Sequence, residues 1–105
     1  MTLLEFVQLL RSTGFPVAYS HFEDPAPDPP FICYTIPEQP HFTADNRVYH
    51  KISDIDIELY TAYKDFEAEK KLEDVLDANN IPYYPYETYI EGEKLYQKIY
   101  EVRLI

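Results

Sequence analysis

Asp54, Asp56 and Glu58 alternate along one short stretch, and carboxylates in that number are the raw material of a hard-cation site. Alternation on a strand gives them no loop to wrap an ion and no glycine-centred turn, so the spacing predicts a solvated or partner-facing stripe instead. The soft ligands are sparser. His21, His41 and His50 fall in separate segments without zinc-ligand spacing, and the only thiol, Cys33, adds no second soft ligand. Cys33 lies in the apolar run FICYTI, which predicts a buried small side chain rather than a nucleophile. A Cys–His pair would also need an orienting partner and oxyanion donors, and the sequence supplies neither. With two glycines in 105 residues, phosphate-cradling loops of the G-x-G-x-x-G or P-loop type are absent. These residues predict no catalytic site, no cofactor and no metal.

The elements that would position them follow from periodicity. Thr2 and Glu5 have the spacing of a capping box, and Leu3, Phe6, Val7 and Leu10 follow at helical intervals. That helix should stop near Thr13, since Gly14 can take a left-handed conformation and Pro16 cannot continue the ladder. Val17 to Phe22 reads as a short strand. EDPAPDPP, residues 23–30, holds four prolines and should run as an extended, poorly paired loop. Phe31 to Ile36 reads as a second strand, and PEQPHFTADN, residues 37–46, as another long connection.

Val48 to Tyr60 makes the third strand, with a phase slip near Ile52 that predicts a bulge or bend. Within it Ile55, Ile57 and Leu59 take one face and the three carboxylates the other, because successive side chains point to opposite sides. Asp65 should cap a second helix in which Ala68, Leu72, Val75 and Leu76 face inward. Glu67, Lys70, Lys71, Glu73, Asp74 and Asp77 are expected to be mostly solvated, with Asn79 and Asn80 at its end. Tyr83 to Ile90, the turn EGEK at 91–94 and Leu95 to Leu104 complete a hairpin. The expected fold is one α+β domain over residues 1–105, in the order α-β-β-β-α-β-β. Its sheet is mainly antiparallel, with two helices packed on one face.

Composition narrows the partners. The net charge is −10, from nineteen acidic and nine basic residues, and both halves of the chain are acidic. Ordinary nucleic-acid binding needs clustered Lys and Arg to displace counterions from phosphates, so it is disfavoured. Eleven tyrosines and six phenylalanines suit a half-buried sheet or a protein interface better than base stacking without a positive groove. A single cysteine leaves no intrachain disulfide, and no apolar stretch approaches the roughly 20 residues that span a bilayer. The N-terminal stretch lacks the pattern of a secretory signal, so a soluble, cytosolic protein without membrane attachment is expected.

The run IELYTAYKDFEAEKKLEDVLDANNIPY, followed by YETYIEGEKLYQKIYEVRLI, resembles small proteins of the head-to-tail gene block in phages and prophages of Gram-positive bacteria. These are tail terminator, tail completion or head-tail joining proteins. The resemblance extends to the N-terminal helix and its exit STGFPVAYSHFE, and it rests on ordinary residues in a recognisable order rather than on a catalytic signature.

The resemblance implies a structural virion protein whose copies form a ring, usually sixfold, at the head-proximal end of a long non-contractile tail tube. It would end tube polymerisation and join tail to head, assembling in the bacterial host cytoplasm and residing in the virion tail. Its partners would be copies of itself, the tail tube protein and a head-tail connector protein. Candidate interface residues are Pro29 and Pro30 in the proline-rich loop, Phe42 in the second loop, and Arg47 and Tyr49 at the start of the third strand. Asp54, Asp56 and Glu58 are the candidate acidic channel face, where like charge would keep passing DNA from sticking. The alternative is an acidic DNA mimic that occupies the basic cleft of a host nucleic-acid enzyme. A mimic needs acids in rows over one surface, whereas here they are distributed over helix, strand and loops.

Overall fold

Thr2 opens the first helix by accepting the Glu5 amide at 3.1 Å, while Glu5 Oε1 accepts the Thr2 amide at 2.7 Å. Two otherwise orphaned donors are satisfied reciprocally, as the spacing predicts. In this computed structural model, which describes residues 1–37 and 53–104, the helix α1 runs Leu3–Arg11. Gly14 follows at φ 89°, a value that favours glycine, and its amide closes the helix end on the Arg11 carbonyl at 3.0 Å.

The strand β1, Val17–Tyr19, is shorter than the expected Val17 to Phe22. Ser20 turns at φ 68° and the His21 amide bonds back to the Tyr19 carbonyl at 2.7 Å, which ends the pairing. Strand β2 covers Phe31–Thr35 and stops one residue before the expected Ile36, ahead of Pro37, which has no amide hydrogen. Strand β3 is described over Ser53–Thr61. The expected start at Val48, the bulge near Ile52, and Phe42, Arg47, Tyr49, His41 and His50 lie outside the described residues.

Helix α2, Phe66–Ala78, is capped by Asp65, whose Oδ1 accepts the Ala68 amide at 3.0 Å. At its other end Asn80 is left-handed at φ 57°. The Asn80 amide reaches the Asp77 carbonyl at 3.1 Å and the Ile81 amide reaches the Leu76 carbonyl at 3.0 Å. This is the paired closure of a Schellman motif, and it brings Ile81 into the core beside Leu76. Strands β4, Tyr83–Ile90, and β5, Leu95–Leu104, form the expected hairpin across residues 91–94.

The five strands lie in the order β1-β2-β3-β5-β4, antiparallel except for the parallel β1–β2 pair. The fold is therefore the α+β architecture expected from the sequence. Register puts Ile32 beside Leu59, Ile55 beside Val102 and Ile57 beside Tyr100. All six are buried on one face with Phe6 and Leu10 of α1 and Leu72 and Leu76 of α2. One hydrophobic core thus joins both helices to a single side of the sheet. Val75, expected within it, is only half-buried.

Ionic groups penetrate this side. Glu69, nearly buried at 6% exposure, accepts Lys64 Nζ at 2.7 Å and Lys98 Nζ at 3.0 Å. Lys64 also bonds Glu87 at 2.7 Å, and Lys98 reaches Glu73 at 3.3 Å. Glu73, expected to be solvated, further accepts the hydroxyl of fully buried Tyr100 at 2.7 Å. Burial alone would raise the Glu69 carboxyl, but hydrogen bonds and charge from Lys64 and Lys98 hold it below the usual range. The helix α2 is thereby fixed to β5 and, through Lys64, to β4.

Candidate functional site

The opposite face of the sheet carries the three carboxylates. Asp54 pairs with Arg103, Asp56 with Glu101 and Glu58 with Ile99 on β5, while on β2 Thr35 stands beside Asp56 and Cys33 beside Glu58. Tyr84 and Tyr86 of β4 extend two of these rows next to Glu101 and Ile99. Because partners across a strand pair share a face, these residues form one surface. Alternation in the sequence was sufficient to place the stripe, and its neighbours come from register.

The three acids are not equivalent. Arg103 Nε donates to Asp54 at 2.7 Å and Nη2 at 3.4 Å. Glu58 accepts the Tyr60 hydroxyl at 2.9 Å, and Tyr60 in turn accepts Gln97 Nε2 at 2.8 Å. Asp56 faces Glu101, a like charge. Burial, together with the charges of Glu101 and Asp54, pushes the Asp56 carboxyl above its ordinary range. Burial also raises Glu58; the Tyr60 hydrogen bond opposes this and the Asp56 charge adds to it. A groove of about 580 Å³ opens at this end of the sheet, with Pro37, Asp54, Asp56, Tyr84, Glu101 and Arg103 in its lining. Among the described residues, no group of three or more His, Cys, Asp or Glu side chains is placed to hold a metal ion.

Toward β1 the same face is partly covered. Phe22, from the loop after β1, meets Phe31 edge-on at 5.4 Å between ring centres, and Phe31 stacks on Tyr60 at 5.0 Å. Cys33 is 2% exposed beneath this cluster, on the side away from the helices. It is the buried small residue the sequence predicts, although it belongs to this satellite cluster rather than to the main core. Burial, then the Glu58 charge, raises its thiol to about 11, so it stays protonated and poorly nucleophilic at neutral pH. His21 lines a cleft beside Phe22, Phe31, Cys33 and Tyr60, with its ring nitrogens near Ser20 at 3.3 Å and Glu23 at 3.8 Å.

No protein-family model matches this chain, and no curated protein matches it in sequence.

The proline-rich loop, expected to run extended and to hold interface candidates, lies partly against the domain. Pro29 and Pro30 are half-buried, and Pro30 lines a small cleft with Phe15 and the first turn of α2. Exposed large side chains lie elsewhere, among them Tyr84 at 72%, Tyr86, Tyr89, Tyr63 at 65% and Phe66 at 71%. Lys64 Nζ sits 5.1 Å from the Phe66 ring centre, next to its bond with Glu87. Hydrophobic spacing marks Phe66 only as a helix start. Its exposure follows from the position of Asp65, which begins the helix with Phe66 turned away from the core.

Proposed function

We propose that this chain is a structural protein of a phage or prophage tail. Its copies close into a ring at the head-proximal end of the tail tube, ending polymerisation and joining the tail to the head. The reading rests on the resemblance of the sequence to that class of protein. The observation that carries it is the set of exposed tyrosines on both faces of the β4–β5 hairpin, together with exposed Tyr63 and Phe66. Tyrosine and phenylalanine are enriched at protein interfaces, where they bury large areas at little entropic cost.

A ring of identical subunits repeats one heterologous pair of patches until rotation closes it. In this reading Tyr84 and Tyr86 belong to such a patch, six copies make the ring, and the tail tube and head-tail connector proteins dock on its two ends. The stripe Asp54, Asp56 and Glu58 faces the channel, where negative charge repels DNA phosphates. The DNA-mimic alternative is less well supported, because a mimic needs its acids in rows over one surface, whereas here they are spread over helix, strand and loops.

Sedimentation velocity on the unmodified chain and on Tyr84→Ser/Tyr86→Ser tests the patch. Self-association that weakens at least tenfold in the variant, with unchanged circular dichroism, supports the reading. Equal association of the two proteins removes these tyrosines from the interface.

A further inference from the structure

Among the described residues, the strand β4 stands at the edge of the sheet, eight residues long, with the sequence YYPYETYI. Such a strand invites another chain to pair with its free backbone groups, above all when it is rich in aromatic and β-branched residues and carries little charge. It contains one acid and no lysine. Its interruption is Pro85, which pairs in unbroken register with Tyr100 of β5.

Proline has no amide hydrogen, so it fits this register without breaking the ladder where its nitrogen points away from β5. Backbone direction alternates along a strand, so Tyr83, Glu87 and Tyr89 present their amides to the same outer side. Pro85 therefore removes a donor from the middle of the row an added strand would use. The other edge is closed by different means. β1 has only three residues, its Tyr19 carbonyl is taken by the His21 amide, and Ser20 turns the chain out of the strand conformation.

We propose that Pro85 guards the β4 edge against strand addition by a second copy of this chain. The sheet ends at β4 because the next strand would find no donor at Pro85, and contacts between copies are left to side-chain surfaces. The inference concerns the backbone edge alone and stands whether or not the chain forms a ring.

The test compares the unmodified chain with Pro85→Thr and with Pro85→Thr/Glu87→Pro by sedimentation velocity over a concentration series, with thioflavin fluorescence on the same samples. Pro85→Thr should add species of roughly twice the mass of the unmodified distribution, or larger, growing with concentration. The double variant, with proline moved to the next outward position, should restore the original distribution. A folded Pro85→Thr protein with the unmodified distribution overturns the proposal, as does a double variant that associates like the single one. Should Pro85→Thr not fold, amide exchange on the unmodified chain decides. Fast exchange at Glu87 and Tyr89 beside protected Tyr86 and Thr88 supports the outward geometry, and uniform protection overturns it.

Discussion

Asp56 and Glu101 stand directly opposite each other on adjacent strands, two carboxylates on one face of the sheet. Like charges in that relationship destabilise a strand pair by a few tenths to about 1 kcal/mol. Glu101→Lys converts the repulsion into an attraction beside Asp56. It should raise unfolding free energy by about 0.5 kcal/mol, read as a higher urea midpoint at unchanged slope. A lower midpoint would show that the exposed carboxylate is favoured by contacts other than this pair.

Asp56 and its neighbour Glu58 shape the pH dependence. Asp56 and Glu58 hold protons more tightly folded than unfolded. Their contribution therefore favours the fold below the ordinary carboxyl range and is lost as pH rises through their raised values. Glu69 has the opposite sign, contributing above the ordinary glutamate range and losing that contribution as pH falls through its lowered value. Asp56→Asn/Glu58→Gln should thus lose less stability than the unmodified chain on going from about pH 4 to about pH 7. Parallel stability curves for the two proteins would contradict the assignment.

Glu69 holds two lysines that packing has taken partly out of water, so its removal leaves their charges poorly compensated. Glu69→Met should cost about 2 kcal/mol, while Glu69→Met/Lys98→Met should cost less than the sum of the single changes because no stranded charge remains. Chemical denaturation of the four proteins in the cycle measures the coupling. Strict additivity would mean that the 3.0 Å contact contributes nothing.

How far these features were legible in the sequence depends on the range over which each is determined. Local signals carried the helices: the Thr2/Glu5 box, the Asp65 cap and the Asn80 closure are all set by residues within one or two turns. The stripe of Asp54, Asp56 and Glu58 was equally legible, because a period of two fixes the face. Glu69 was not recognised, although it precedes Leu72 by three positions and shares the apolar stripe. Lys98 likewise alternates with Tyr96 and Tyr100 on the inward face of β5. What was missing is the register that sets Lys98 against α2, which no single segment encodes. Composition marks residues 23–30 as an extended, poorly paired loop, but does not show that Pro30 packs beside Phe15 and the start of α2, a contact set by the tertiary fold.

The proposed channel role of the acidic stripe predicts an effect on ejection. In assembled virions, Asp56→Asn/Glu58→Gln should slow DNA ejection, since fewer fixed negative charges would repel the passing phosphates. Ejection at the unmodified rate would remove these two acids from the channel wall.

Native mass spectrometry of the unmodified chain over a concentration series, with negative-stain microscopy of the same samples, tests ring formation most directly. The account predicts discrete closed rings, with six copies as the dominant species. A chain that stays strictly monomeric at every concentration would contradict a subunit that closes into a ring through its own surfaces.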